Sequence, residues 1–264
     1  MNPAEKEMTN ALIELKEHYF AVGIKAGYED EGTSYEDLVL LKNVADNANL
    51  DLSLKTGGCG ALRDIYDAER IGISAIVAPM IESVYALKKY VKTIKLAIPE
   101  QKTKNMKFYI NIETKNGLKY LDEILDCEDS KFLNGVILGR TDLIESLGIN
   151  ESSTNSEIIL NIAKETATKV HCHSKEFIIG GGVSPLSIPF FRKLPENHLT
   201  RYETRKVIFD AQKALTGKDA GYGIKKALEF ELLWLKNKKE CHSITTEETK
   251  RINILESRIH QYLF

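Results

Sequence analysis

Two acidic residues follow apolar segments of the kind that form buried strands. Glu113 is the penultimate residue of KFYINIET (107–114), and Asp142 comes shortly after GVILG (135–139). They stand 29 positions apart, about one strand and one helix, so we expect them on neighbouring strand ends. Converging carboxylates repel unless a cation or a shared proton compensates them. The pair indicates either a divalent metal site, with Mg²⁺ the first choice and Mn²⁺ the second, or salt bridges with Arg140 or a nearby lysine.

Other polar residues also follow predicted strands. In a parallel barrel the carboxyl ends of the strands converge on one mouth, where polar groups serve chemistry more often than stability. Lys55 lies in an otherwise apolar segment and is our candidate catalytic cation; Lys25 or Lys55 could instead form a Schiff base. Arg140 is expected to contact an anionic substrate or to pair with an acid. The full set is Lys25, Glu29, Asp30, Lys55, Glu82, Asn111, Glu113, Arg140, Asp142 and Ser184.

The segments that must position these residues alternate between strands and helices. Continuous apolar runs predict seven strands, at 19–27, 50–58, 73–80, 107–114, 132–139, 176–182 and 205–210. Helical spacing lies between them, at 34–48, 61–72, 82–97 and 116–128. This alternation favours an α/β fold, a TIM-type (β/α)8 barrel. We expect the missing eighth strand near the N-terminus or in the polar stretch 149–175, unless the barrel is irregular.

The C-terminal part of the chain has a helical pattern only. GIKKALEFELLWLKNKK (223–239) and TTEETKRINILESRIHQYL (245–263) carry broad apolar stripes that need a surface to pack against. Thr245 and Glu248 have the spacing of a capping box, which predicts that the last helix starts near Thr246.

The change of pattern divides the chain into two parts. Residues 1–215 are predicted to form the barrel, and residues 216–264 a helical extension. This extension packs either on the barrel of its own chain or on a partner subunit, as in a homo-oligomer.

Composition limits the class of function. The 264 residues include 36 Lys plus Arg and 38 Asp plus Glu, a net charge of −2, so no global basic field favours nucleic acid or anionic lipid. The four cysteines lack CxxC spacing, the N-terminal segment lacks the apolar core of a signal peptide, and no apolar run approaches the roughly 20 residues that span a bilayer. We expect a cytoplasmic protein that acts on a small molecule, with no nucleic-acid or membrane partner.

Three segments resemble a known family. INIETKNGLKYLDEIL (110–125), followed by GVILGRTDLIESLG (135–148), is similar to strand motifs of the TIM-barrel superfamily that uses pyruvate and phosphoenolpyruvate. IGISAIVAPMIESVYAL (71–87) supports the similarity, which covers about residues 20–210. The motifs most resemble the HpcH/HpaI aldolase and citrate lyase beta-subunit family, whose C-terminal helices are commonly exchanged between subunits.

The resemblance assigns roles to individual positions. Glu113 and Asp142 match the family's metal-binding carboxylates, and Gly139 matches the turn that approaches the substrate carboxylate. Pro79, in the turn after the third strand, and Asn111 are further substrate-binding candidates. The chain departs from the family at Lys55, where an arginine is usual; lysine supplies the positive charge without the planar two-pronged donor.

These observations predict a metal-dependent carbon–carbon lyase, of the aldolase or citrate lyase kind, that acts on a 2-oxo acid through a pyruvate-type enolate. Three alternatives stay open at this level. They are a phosphoenolpyruvate-using transferase or mutase on the same barrel, a Schiff-base aldolase that uses Lys55, and a barrel kept for binding without catalysis.

Overall fold

A computed structural model describes residues 2–149, 154–217, 219–241 and 245–261. Eight strands form a closed barrel in which each strand pairs with the next along the chain and the last pairs with the first. The strands are β1 (Ala21–Gly27), β2 (Asp51–Lys55), β3 (Ala75–Ala78), β4 (Lys107–Ile112), β5 (Gly135–Gly139), β6 (Glu176–Gly180), β7 (Leu199–Glu203) and β8 (Val207–Asp210). The predicted TIM-type barrel is confirmed.

Helices surround the barrel and extend beyond it. They are α1 (Pro3–Tyr19), α2 (Tyr35–Asn47), α3 (Leu62–Ile71), α4 (Val84–Ala97), α5 (Glu100–Thr103), α6 (Lys115–Lys119), α7 (Leu121–Asp126), α8 (Arg140–Ser146), α9 (Glu157–Cys172), α10 (Ile188–Phe191), α11 (Ala211–Ala214), α12 (Ala220–Cys241) and α13 (Thr246–Gln261). Short 3₁₀ helices cover Glu128–Phe132 and Pro185–Ser187. In the described ranges, no helix combines the length and the apolar character needed to cross a bilayer.

The alternation of side chains along each strand creates two apolar layers. Ile76, Ile110 and Leu138 point outward and join the large core beneath the helices. Their neighbours on the same strands point inward and form a smaller cluster inside the barrel, made of Ala75, Val77, Tyr109, Ile137 and Ile178. Strands buried on both faces therefore explain why the sequence shows continuous apolar runs.

The strand that the sequence analysis did not locate is β7, and the prediction of its position was wrong. The N-terminus forms α1, and the described part of the stretch 149–175 contains α9. The sequence of β7, LTRYE, lacks an apolar run because Arg201 is accommodated inside the barrel. Its guanidinium lies 3.4 Å from the Glu176 carboxylate and donates a 3.3 Å hydrogen bond to the Tyr109 hydroxyl.

The barrel closes irregularly, because β8 runs antiparallel to both of its neighbours. An antiparallel pair needs only a tight turn, so no helix separates β7 from β8. The turn is fixed by Thr204, whose N–H donates to Val207 O at 2.9 Å and whose hydroxyl accepts from Val207 N–H at 3.0 Å. It carries Arg205 and Lys206 to the mouth of the barrel, where both pair with Glu31.

The C-terminal helices pack on their own chain. α12 lies against α1, and α13 lies against α12. Leu228 and Trp234 of α12 and Ile252 and Leu255 of α13 are buried in the same core as the outer face of the barrel. This arrangement corresponds to the first of the two predicted packings; exchange with a partner subunit stays a prediction.

The predicted start of the last helix is confirmed. The Glu248 N–H donates to Thr245 Oγ1 at 3.1 Å, and the Thr245 N–H donates to Glu248 Oε2 at 2.7 Å, which together form the capping box. α13 begins at Thr246. The predicted final residues of this helix, 262–263, lie outside the described residues.

Candidate active site

A polar cavity of about 400 Å³ opens at the mouth of the barrel. The carboxyl ends of the strands form its floor, and α12 and α13 contribute Leu228, Arg251 and Arg258 to its outer wall. The charged residues that line it are Lys25, Asp30, Lys55, Glu113, Asp142, Glu203, Arg205, Arg251 and Arg258. The structure thus brings seven predicted candidates to one cavity: Lys25, Asp30, Lys55, Asn111, Glu113, Gly139 and Asp142.

Glu113 is held in one orientation directly beyond β4. Its side chain is almost fully buried, with Oε1 accepting from the Met80 N–H at 3.0 Å and Oε2 from the Asn111 amide at 2.8 Å. The Lys55 ammonium lies 3.8 Å from Oε1. A Cβ at Gly139 would lie 2.5 Å from Oε2, so only glycine allows β5 to approach the carboxylate this closely. Four neighbours therefore fix the carboxylate at the cavity wall.

The turn after β3 orients one of these donors. Met80 adopts the left-handed conformation, with φ 47°, which costs free energy in a residue with a side chain. This conformation directs its N–H to Glu113. The preceding Pro79, a predicted substrate-binding residue, is buried and does not line the cavity. We therefore correct its role: the Pro79–Met80 turn orients the Glu113 carboxylate, and Pro79 itself does not face the cavity.

Burial raises the pKa of Glu113 to about 7. Lys55 lowers this pKa, Asp142 raises it, and the hydrogen bonds from Asn111 and Met80 lower it. In the described part of the chain the Asp142 carboxylate forms no ion pair, so its charge acts on Glu113 without a dedicated partner. The Asp142 charge therefore destabilises the charged form of Glu113, as their spacing predicts.

This pKa implies a pH-dependent stability. Because the folded state holds the Glu113 proton more tightly than the unfolded state does, the stability contributed by this group falls as the pH rises from 4.5 to about 7. We expect Glu113→Gln, which stays neutral, to be more stable than chelator-treated wild type by about 3 kcal/mol above this range and nearly equal to it below. Urea unfolding of both proteins at either end of the range measures the difference; a constant difference contradicts this assignment.

The two lysines on the floor of the cavity are ion-paired. Lys55 Nζ lies 2.8 Å from Glu29 Oε2, and Lys25 Nζ contacts Glu203 at the end of β7. Burial by itself lowers the pKa of each ammonium group, but nearby carboxylates have the larger effect and raise it. Glu113 contributes most to the raised pKa of Lys55, and Glu203 contributes most to that of Lys25. Both lysines therefore stay protonated near neutral pH, which disfavours either of them as a Schiff-base nucleophile.

Arg140 does not reach the cavity, and the prediction of a substrate contact or an acidic partner needs correction. Its side chain is fully buried, its guanidinium stacks over Phe190 and Phe191, and it pairs with no described carboxylate. Burial lowers its pKa to about 9. The guanidinium donates to Gly180 O at 3.2 Å, Gly181 O at 2.9 Å, Thr154 O at 3.0 Å and Asn155 Oδ1 at 2.8 Å. Arg140 thus ties the loop after β6 to the segment before α9.

Replacement of Arg140 is expected to cost stability. Arg140→Met leaves buried carbonyl oxygens without donors, and lysine cannot reproduce the fork of four hydrogen bonds. We expect both variants to lose roughly 3 kcal/mol or more of unfolding free energy, measured by chemical denaturation. Wild-type stability combined with loss of substrate binding would show instead that Arg140 contacts the substrate.

Three further candidates do not line the cavity. Glu29 is the ion-pair partner of Lys55. Glu82 accepts a 2.7 Å hydrogen bond from the Thr114 hydroxyl, and Ser184 caps the 3₁₀ helix that follows it; neither lines the cavity. Four charged residues of the lining were not predicted: Glu203, Arg205, Arg251 and Arg258. Glu203 and Arg205 lie at the end of β7, the strand that was not predicted. Arg251 and Arg258 lie on α13, and the rule that polar residues follow strand ends does not apply to a helix.

The oxygen atoms around Glu113 suit a hard cation. Asn111 Oδ1 is buried and has no hydrogen-bond partner among the described residues, and Glu113 and Asp142 add two carboxylates. Such oxygen donors are the preferred ligands of Mg²⁺ and Mn²⁺. Over the described ranges, no group of three or more His, Cys, Asp or Glu side chains could hold a metal ion. An ion here would therefore need substrate or water to complete its ligands.

A closed barrel with a charged cavity at its mouth can be compared with known families. Residues 59–180 match the family model described as HpcH/HpaI aldolase/citrate lyase. This match confirms the resemblance found from the strand motifs. No curated protein matches the chain.

Solved structures share the fold at low sequence identity. An HpcH/HpaI aldolase from Desulfitobacterium hafniense DCB-2 superposes with a TM-score of 0.60 and 14% identity, covering 84% of this chain and 88% of that chain. The citrate synthase SbnG gives a TM-score of 0.57 at 17% identity, over 83% of this chain and 89% of that chain. Macrophomate synthase gives a TM-score of 0.52 at 13% identity, over 70% of this chain and 78% of that chain. At these identities the structural likeness concerns the fold alone.

Proposed function

We propose that the protein is a metal-dependent carbon–carbon lyase, or catalyses the synthetic reverse, through the enolate of a pyruvate-type 2-oxo acid. The observation that carries the proposal is the convergence of Glu113, Asp142 and the unpartnered Asn111 Oδ1 beside the Lys55 ammonium. This set offers oxygen ligands for a cation and a positive charge for a developing oxyanion in one cavity. Its chemistry suits a 2-oxo acid, which presents a carboxylate and a keto oxygen together.

Glu113 and Asp142 would hold the divalent ion, with Mg²⁺ the expected metal and Mn²⁺ its substitute. When bound, the ion would polarise the keto group of the oxo acid. Lys55 would stabilise the negative charge that develops on the enolate oxygen, because it stays protonated. Its bond to Glu29 keeps the ammonium at the cavity wall.

Asp30 is our candidate for the proton-accepting group. It lines the cavity, and Glu29 beside it is already engaged by Lys55. Burial raises the pKa of Asp30, but the charges of Lys25, Lys55 and Arg205 together lower it below its ordinary value. The carboxylate is therefore ionised at neutral pH and able to take a proton from the substrate methyl group.

Exchange of the pyruvate methyl protons for deuterium, followed by NMR, tests this proposal without knowledge of the second substrate. We expect exchange with Mg²⁺ or Mn²⁺ and none with a chelator. Exchange that survives the chelator but stops in Lys55→Met would support the Schiff-base alternative. Absence of exchange under all conditions would favour phosphoenolpyruvate chemistry, another oxo acid or a binding barrel.

A further inference from the structure

α13 contributes cationic side chains to the outer wall of the active-site cavity. Arg251 and Arg258 both line the cavity and lie seven residues apart, which places them on one helix face, two turns or about 10 Å apart. Leu255, between them on the same face, is buried in the core. This face of α13 is therefore turned toward the barrel mouth.

The helix is firmly attached in this position. Lys238 of α12 binds Glu248 at 2.7 Å and Asp37 of α2 at 3.2 Å, which joins three helices. The Arg251 guanidinium forms a two-pronged ion pair with the buried Glu231, at 2.7 and 2.8 Å. Arg251 is thus an anchor, and its charge is already compensated.

Arg258 differs from the other cations of the cavity. Four of the five have a carboxylate partner: Lys25 pairs with Glu203, Lys55 with Glu29, Arg205 with Glu31 and Arg251 with Glu231. Arg258 is exposed and pairs with no carboxylate in the described part of the chain. An uncompensated guanidinium facing a cavity is suited to a two-pronged contact with an anion.

We propose that Arg258 determines substrate specificity by binding a second anionic group, a carboxylate or a phosphate, at the outer end of the cavity. The inference rests on the proposed function, which places the oxo-acid end of the substrate at Glu113 and Asp142. A substrate that spans the cavity then carries its second charge toward α13. The preference for doubly anionic substrates thus comes from the C-terminal extension of the same chain.

Equilibrium binding tests this proposal independently of turnover. Calorimetric titration with Mg²⁺ present compares three ligands: a five- or six-carbon 2-oxo diacid, the 2-oxo monoacid of equal length, and a 2-oxo acid with a terminal phosphonate. We expect one of the two dianionic ligands to bind wild type at least about 10-fold more tightly than the monoacid. The dianionic ligand with the larger increase in affinity over the monoacid shows whether the site prefers a carboxylate or a phosphate.

Variants of α13 assign the effect to a residue. We expect Arg258→Met to reduce the dianion advantage to about 3-fold or less and Arg258→Lys to keep part of it. Lys250→Met is the matched control, because it removes an exposed cation of the same helix that lies outside this cavity, and it should keep the full advantage.

Three results would overturn the proposal: equal binding of all three ligands, binding of none, or an advantage that survives in Arg258→Met. Failure of the proposed function would give a different result: wild type would show no metal-dependent exchange of the pyruvate methyl protons. A dianion advantage that depends on Arg258 would then still be measurable.

Discussion

Glu113→Gln is expected to lose roughly 10³-fold or more of the metal-dependent exchange of pyruvate methyl protons. Glutamine keeps the size of the side chain but removes the charge that would bind the metal. The fold around it should tolerate the change, because the Asn111 amide can turn its unpartnered Oδ1 toward the new amide group. Exchange followed by NMR at fixed Mn²⁺ measures the loss, and calorimetric Mn²⁺ titration should show weakened binding.

Glu82→Gln is the control for this variant. Glu82 also follows a strand at the mouth, but it bonds to Thr114 and does not line the cavity. We expect its exchange rate to stay within about 3-fold of wild type, since surface substitutions away from such a site have small effects. Equal losses in both variants would mean that the effect is structural, and full activity of Glu113→Gln would exclude Glu113 as a metal ligand.

Lys55→Met is expected to lower the exchange rate by about 10²- to 10³-fold, the usual loss when one donor to a developing oxyanion is removed. It should also raise the pKa of Glu113 further, because the Lys55 charge lowers that pKa in wild type. The pH at which Glu113 ionises in the metal-free protein should therefore move upward. Exchange assays and the pH dependence of unfolding measure the two effects separately.

Lys55→Arg distinguishes a required positive charge from a required amine. Arginine, the residue that the resemblance places at this position, keeps the charge and should restore most of the exchange, whereas it cannot form a Schiff base. Borohydride treatment with pyruvate should leave wild type unmodified at this lysine, since its pKa is raised. Covalent trapping at Lys55, or an inactive Lys55→Arg variant with wild-type stability, would argue for the Schiff-base mechanism.

The barrel and the inner end of the site follow from the sequence because their signals are local. Runs such as GVILG show strands buried on both faces, and strands of a parallel barrel must direct their carboxyl ends to one mouth. This rule identified Glu113, Asp142, Asn111 and Lys55, and the family resemblance identified Gly139. All five line one cavity. The capping box at Thr245 is local in the same sense.

Only the tertiary structure decided the rest, because the physical cause lies far away in the chain. Arg140 follows a strand as Asp142 does, yet carbonyl groups after β6 and before α9 bind it outside the cavity. β7 was not predicted because the charge of Arg201 is compensated inside the barrel by the Glu176 carboxylate, which approaches it only in the folded chain. Arg258 reaches the mouth because α13 packs on α12 and α12 on α1. Residue type and local periodicity contain none of these long-range partners, so the sequence determined the residues at the inner end of the cavity and the fold determined its outer wall.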